Sequence, residues 1–136
     1  MTTFIDTSAF IAYLNANDRY HTAAVSQWQA LLAGDETLLC NNYILVETMA
    51  IVQHRLGLGA VRGLQDGMLP LLTIDWIDEA AHATAMAALT VANRRQLSLV
   101  DCSAMTTMRA WGVNRIFSFD AHYGEYDFTL LPGDTL

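Results

Sequence analysis

The chain has 136 residues, 53% of them hydrophobic, which is enough to bury a core without staples and points to one domain over residues 1–136. Fourteen acids against seven basic residues leave a net charge of −7, and all seven basic residues are arginine. Lysine-dependent chemistry is therefore excluded, and the sign of the charge argues against a broad nucleic-acid-binding face.

No apolar run approaches the roughly 20 residues needed to span a bilayer. The start, Met1-Thr2-Thr3-Phe4-Ile5-Asp6, lacks the basic segment of a signal peptide. Cys40 and Cys102 match no zinc or redox spacing and read as reduced, partly buried thiols, so a cytoplasmic setting is expected.

The predicted elements alternate. Residues 3–6 read as a strand and 8–14 as a helix, with Asp6, Thr7 and Ser8 all good cap types. Residues 21–32 carry Ala24, Trp28, Leu31 and Leu32 at helical spacing, and 37–40 form a second apolar strand. Asn41-Asn42 caps a helix over 43–56 that stops at Gly57, and a further helix is expected over 59–66. Residues 71–74 read as a strand, 78–92 and 98–111 as helices, 115–118 as a strand and 129–131 as a fifth, edge strand. This alternation predicts an α/β fold with a mainly parallel sheet of four to five strands covered on both faces. Ligands of such sheets bind beyond the carboxyl ends of the strands.

Four acids stand out against that rule. Asp6 directly follows the first strand and Asp120 follows the fourth, although the first also reads as an N-cap and the second as a turn acid. Asp101 lies in Ser98-Leu99-Val100-Asp101, a capping-box pattern, and a carboxylate in that first turn can also face the ligand end. Glu47 sits in Tyr43-Ile44-Leu45-Val46-Glu47-Thr48-Met49, a helix apolar nearly all round and so expected to be largely buried. A carboxylate there needs a partner or a metal. Asp35, Glu36, Asp66, Asp78, Glu79, Asp127 and Asp134 lie in polar or turn contexts and read as surface. Converging carboxylates require a cation, and all-oxygen ligands favour Mg²⁺ or Mn²⁺, a setting suited to phosphodiester cleavage.

Phe4-Ile5-Asp6-Thr7-Ser8-Ala9-Phe10, Glu47 in Ile44-Leu45-Val46-Glu47-Thr48, Leu97-Ser98-Leu99-Val100-Asp101-Cys102 and Phe117-Ser118-Phe119-Asp120-Ala121-His122-Tyr123 together resemble the motifs of PIN-domain nucleases, closest to the VapC-type toxins of toxin–antitoxin pairs. The ordered set covers almost the whole chain. Tyr123 stands where phenylalanine is frequent, and the end of the chain is matched loosely. The resemblance implies a PIN-like three-layer α/β/α domain and Mg²⁺- or Mn²⁺-dependent endoribonuclease activity. It also implies a homodimer and a small antitoxin partner. Asp6 and Asp101 would be the principal metal ligands, Glu47 and Asp120 would complete the cluster, and Ser8 and Ser118 would support it. The expected reaction is metal-assisted hydrolysis of RNA leaving 5′-phosphate and 3′-hydroxyl ends.

RNA contact would fall to Arg19, Arg94 and Arg95, with Arg94-Arg95 favoured because they immediately precede the Asp101 helix. His21, His54, His82 and His122 form no metal-ligand spacing, although His122 lies beside Asp120. Trp28, Trp76 and Trp111 are expected in the core or a dimer face. A receiver domain would require the missing lysine, and a haloacid-dehalogenase-type phosphatase would require an aspartate where Ser8 stands. The remaining alternative is a catalytically silent PIN-like module that binds a protein or RNA.

Overall fold

A computed structural model describes residues 1–133; Asp134, read above as a surface acid, lies outside the described residues. Five strands form the sheet: β1 (Thr2–Ile5), β2 (Thr37–Asn41), β3 (Thr73–Asp75), β4 (Arg115–Phe117) and β5 (Thr129–Leu131). Their order is β3-β2-β1-β4-β5, and every pairing is parallel. The chain winds outward from β1 to β3 on one side and then from β4 to β5 on the other. The order therefore reverses between β1 and β4, the position beyond whose carboxyl ends sheets of this kind bind ligands. A parallel sheet buried on both faces wants strands without polar alternation, and Phe4, Ile5, Leu39, Cys40, Ile116 and Phe117 are all buried.

Seven α-helices occur among the described residues: α1 (Thr7–Leu14), α2 (His21–Ala33), α3 (Asn42–Leu56), α4 (Leu58–Gly63), α5 (Glu79–Ala92), α6 (Leu99–Trp111) and α7 (His122–Glu125). With the sheet they make the three-layer α/β/α arrangement. None is long and apolar enough to cross a membrane.

Local chemistry sets their ends. The Asp6, Asn41 and Asp78 side chains cap α1, α3 and α5, and the Ser98–Asp101 capping box opens α6. Gly57 at φ +88° and Gly112 at φ +67° stop α3 and α6 in backbone conformations that a side chain would strain.

Several expectations are corrected. The helix expected over 59–66 is α only to Gly63, then continues as a π-turn over Leu64–Met68 and a 3-10 turn over Leu69–Leu71. Buried Leu64 and Met68 hold this segment to the core, and the third strand starts two residues later than its apolar run implied. α7 was not anticipated, because four residues carry no periodicity. α3 is not buried all round: Ile44, Leu45, Thr48 and Val52 face inward, while Val46 is 70% exposed. Glu36 is not plain surface, since it pairs with Arg115 at 2.8 Å and with the N-terminal ammonium at 3.8 Å. Trp28 packs in the core, whereas Trp76 and Trp111 are exposed.

Candidate active site

Asp6 caps α1 from the end of β1, the central strand, and is buried. Its Oδ2 accepts hydrogen bonds from the Ser8 hydroxyl (2.9 Å), the Ser118 hydroxyl (2.9 Å) and the Ser8 backbone N–H (3.4 Å). Its Oδ1 accepts from the Tyr123 hydroxyl at 3.1 Å. Burial pushes the Asp6 carboxyl above the usual carboxylate range; the serine hydroxyls oppose that rise, and the charge of Asp101 adds to it. The Tyr123 phenol is itself pushed up, first by burial and then by the charges of Asp6 and Asp101.

Asp101 uses Oδ2 to accept the Ser98 N–H at 3.0 Å, which closes the capping box. Its Oδ1 stands 3.3 Å from the same Tyr123 hydroxyl that reaches Asp6. The capping role and the site-facing role thus fall on different oxygens of one carboxylate. Glu47, half-buried on α3, completes the acid side. Burial raises its pKa, the charges of Asp6 and Asp101 raise it further, and the neighbouring Thr7 hydroxyl works the other way. Thr7 in turn accepts from the Thr48 hydroxyl at 3.1 Å, tying α1 to α3 beside that carboxylate.

Asp120 sits at the opposite edge. Its backbone N–H donates to Ser118 Oγ at 3.0 Å, and its Oδ1 accepts from the backbone N–H and Nδ1 of His122. Ser118 therefore touches Asp6 and Asp120 together. The hydrogen bond from His122 to Asp120, followed by the carboxylate's charge, raises the His122 pKa. The His–Asp pair thus stabilises the fold below the ordinary histidine value of 6.5, and that contribution is lost as pH rises through the folded value. An NMR titration is expected to place the His122 midpoint above 6.5 and to find it lowered in Asp120→Asn. An unmoved midpoint in the variant would remove Asp120 as the cause.

Among the described residues, no ion pair reaches Asp6, Glu47 or Asp101. No three Asp, Glu, His or Cys side chains there already form a cage for one ion. Mg²⁺ is commonly held by one or two carboxylates plus waters and substrate phosphate rather than by an all-protein cage. Two acid oxygens converging on one hydroxyl, both from uncompensated carboxylates, fit that mode of binding.

The candidate arginines are separated by the fold. Arg94 donates to Glu125 (3.1 Å) and to the Tyr126 hydroxyl (2.9 Å), so it is engaged at α7. Arg95 is exposed. Arg19 lies 4.6 Å over the Tyr20 ring, which stacks on Phe119 with centroids 4.6 Å apart. The Phe119 N–H donates to Ser8 Oγ at 2.9 Å, so this stack is rooted at the acid cluster.

Sequence reasoning missed two features. The Tyr123 hydroxyl was noticed only as a departure from phenylalanine. Asn41 was read as a cap, but its Nδ2 also donates to Ser103 and Thr107, both at 3.2 Å, and the Thr107 hydroxyl donates to Asp75 at 3.0 Å. The one available signal was an asparagine between an apolar strand and an apolar helix.

The family model for the PIN domain matches residues 3–129. The 23S rRNA-specific endonuclease VapC20 of Mycobacterium tuberculosis is 25% identical over 126 residues, covering 92% of this chain and 94% of that protein. Its crystal structure, described as a Sarcin-Ricin loop cleaving toxin, superposes with a TM-score of 0.84 at 23% identity, over 95% of this chain and 97% of that one. A chain in the structure of VapBC2 from Rickettsia felis bound to a DNA fragment from their promoter superposes at a TM-score of 0.70 and 12% identity, over 96% of this chain and 97% of that one. With four acid-bearing motifs in order and a family match over nearly its whole length, the chain belongs to the PIN domain family.

Proposed function

We propose that this protein is a divalent-cation-dependent endoribonuclease and the toxin of a toxin–antitoxin pair, acting in the cytoplasm. The observation that carries this reading is the convergence of Asp6 and Asp101 on one point at the sheet's switch, with no side-chain cation among the described residues paired to either. Asp6 and Asp101 would hold Mg²⁺ or Mn²⁺, with Glu47 and Asp120 reaching the ion or its waters. When bound, the ion lowers the pKa of water and stabilises charge on the phosphate.

The chain's own residues do the rest. Ser8 and Ser118 fix the Asp6 carboxylate through Oδ2 and leave Oδ1 to the Tyr123 hydroxyl, on the side of Asp101. Glu47, with its raised affinity for protons, is suited to accept one from an attacking water. Arg19, held against Tyr20 and Phe119, offers the guanidinium best placed to steer a phosphate toward the acids. With a net charge of −7, affinity for bulk RNA is expected to be weak and salt-sensitive.

The name of the M. tuberculosis relative makes 23S rRNA the first substrate to test. The family resemblance supplies a small antitoxin as partner. The same resemblance implies a homodimer, and the apolar patch on which Val46 and Trp76 are both 70% exposed offers a face for it. Purified protein incubated with 23S rRNA and Mg²⁺ or Mn²⁺ is expected to make discrete internal cuts with 5′-phosphate and 3′-hydroxyl ends, and to make none in excess chelator. Cuts that persist in chelator, or that carry 2′,3′-cyclic phosphates, would reject the metal-dependent reading.

A further inference from the structure

Tyr123 holds a position that none of the four acids holds. Its hydroxyl lies 3.1 Å from Asp6 Oδ1 and 3.3 Å from Asp101 Oδ1. The other two oxygens of these acids are already engaged: Asp6 Oδ2 by Ser8 and Ser118, and Asp101 Oδ2 by the Ser98 N–H. Each Oδ1 meets only the Tyr123 hydroxyl and, as a carboxylate oxygen with two lone pairs, keeps capacity for a cation. Among the described residues, the Tyr123 hydroxyl alone is hydrogen-bonded to both.

The phenol is fixed by the fold rather than by the acids. Tyr123 is 1% exposed, and its carbonyl accepts from the Tyr126 and Phe128 N–H groups, both at 3.2 Å. A phenol carries one proton, so it donates to one carboxylate at a time and cannot neutralise the pair. Its contribution is geometric. The capping box anchors Asp101 through a single oxygen, which leaves the carboxylate plane free to swing about that contact. A second anchor at Oδ1 stops the swing and turns that oxygen toward Asp6.

We propose that Tyr123 is a positioning residue whose hydroxyl aligns the Oδ1 atoms of Asp6 and Asp101 and thereby sets the affinity and selectivity for a divalent cation. This rests on the metal-dependent reading above. Groups that orient metal ligands through hydrogen bonds typically change metal affinity by about 10- to 100-fold when removed. Mg²⁺ demands near-ideal octahedral geometry, whereas Ca²⁺ accepts looser arrangements. Loss of the hydroxyl should therefore weaken Mg²⁺ and Mn²⁺ more than Ca²⁺, a difference that a merely structural role would not produce.

The test is calorimetric titration of wild type, Tyr123→Phe and Asp6→Asn with Mn²⁺, Mg²⁺ and Ca²⁺, alongside melting of the metal-free proteins. Tyr123→Phe keeps the ring that fills the core and deletes one oxygen. The expected result is a folded variant whose Kd for Mn²⁺ rises about 10-fold or more, with a smaller change for Ca²⁺. Wild-type-like Mn²⁺ binding by Tyr123→Phe, with Asp6→Asn impaired, overturns the role of Tyr123 and leaves the metal site standing. Absence of Mn²⁺ binding by the wild type overturns both. Should Tyr123→Phe melt early, ring-labelled tyrosine in the wild type answers the same question: Mg²⁺ must move the Tyr123 resonances, and unmoved resonances overturn the proposal.

Discussion

Asp6→Asn is expected to lose about 100-fold or more of its RNA-cleaving rate, the equivalent of about 2.7 kcal/mol of transition-state stabilisation, while melting no lower than the wild type. The two halves of that result have separate causes. An amide at position 6 keeps one oxygen to accept from Ser8 and Ser118, and its NH₂ can donate to the Tyr123 oxygen, so the cap and the local network survive. The anionic charge does not.

Stability follows from the direction of the pKa. In the fold, the Asp6 carboxyl lies above its ordinary value of 3.8, mainly through burial. The contribution of Asp6 to stability is therefore greatest below pH 3.8 and is lost as pH rises through the folded value. The neutral amide does not incur that loss. Asp101→Asn should lose activity similarly but gain no stability, because Asp101 sits in the first turn of α6, where an anion favours the helix. Single-turnover cleavage and melting at pH 7 check both variants. A clear fall in the Asp6→Asn melting temperature would show that the carboxylate is structural rather than held for chemistry.

Asn41→Ala carries the largest expected effect on stability, about 2–4 kcal/mol, or roughly 10 °C in Tm for a chain of this size. The side chain is fully buried and does three things at once. Its Oδ1 accepts the Ile44 N–H at 2.9 Å and caps α3, a contact worth about 1 kcal/mol. Its Nδ2 donates to Ser103 and Thr107 on α6, and Thr107 passes the network to Asp75 on β3. Alanine strands the buried acceptors and frees the start of the helix. Ser103→Ala, which removes the contact from Asn41 and the hydroxyl's own hydrogen bond to the Val100 carbonyl, should cost less, about 1–2 kcal/mol. α3 carries Glu47 and α6 carries Asp101, so the network also sets the two acid helices against each other, and activity should fall in the Asn41 variant even where it remains folded. Urea unfolding of the two variants measures the difference. A cost below about 1 kcal/mol for Asn41→Ala would mean that water replaces the network.

The parallel order of strands and helices was legible because the strands are short and mostly apolar and α3, α5 and α6 carry their own caps and stops. The placement of Asp6 directly after β1, and of Asp120 three residues past β4, followed from the strand ends alone. What was hidden depends on contacts distant in sequence. Asp101 looked like a cap or a site residue, and only the structure divides these roles between its two oxygens. The Glu47 helix looked buried because Val46 and Ala50 are apolar, yet they point away from the sheet, and apolar composition cannot distinguish a core from an exposed face that awaits a partner. The favoured Arg94 is tied to Glu125 and Tyr126, 31 and 32 residues away, while Arg19 lies over the Tyr20 ring, which stacks on Phe119, an arrangement that no spacing rule encodes.

The most direct measurement is the mapping of cleavage ends in cellular RNA after induction of the wild type and of Asp6→Asn. The expected result is a small set of discrete internal cuts with 5′-phosphate ends in the wild type, absent from cells producing equal amounts of folded Asp6→Asn. The same cuts in both, or none in the wild type, would contradict an RNA-cleaving site built on Asp6 and Asp101.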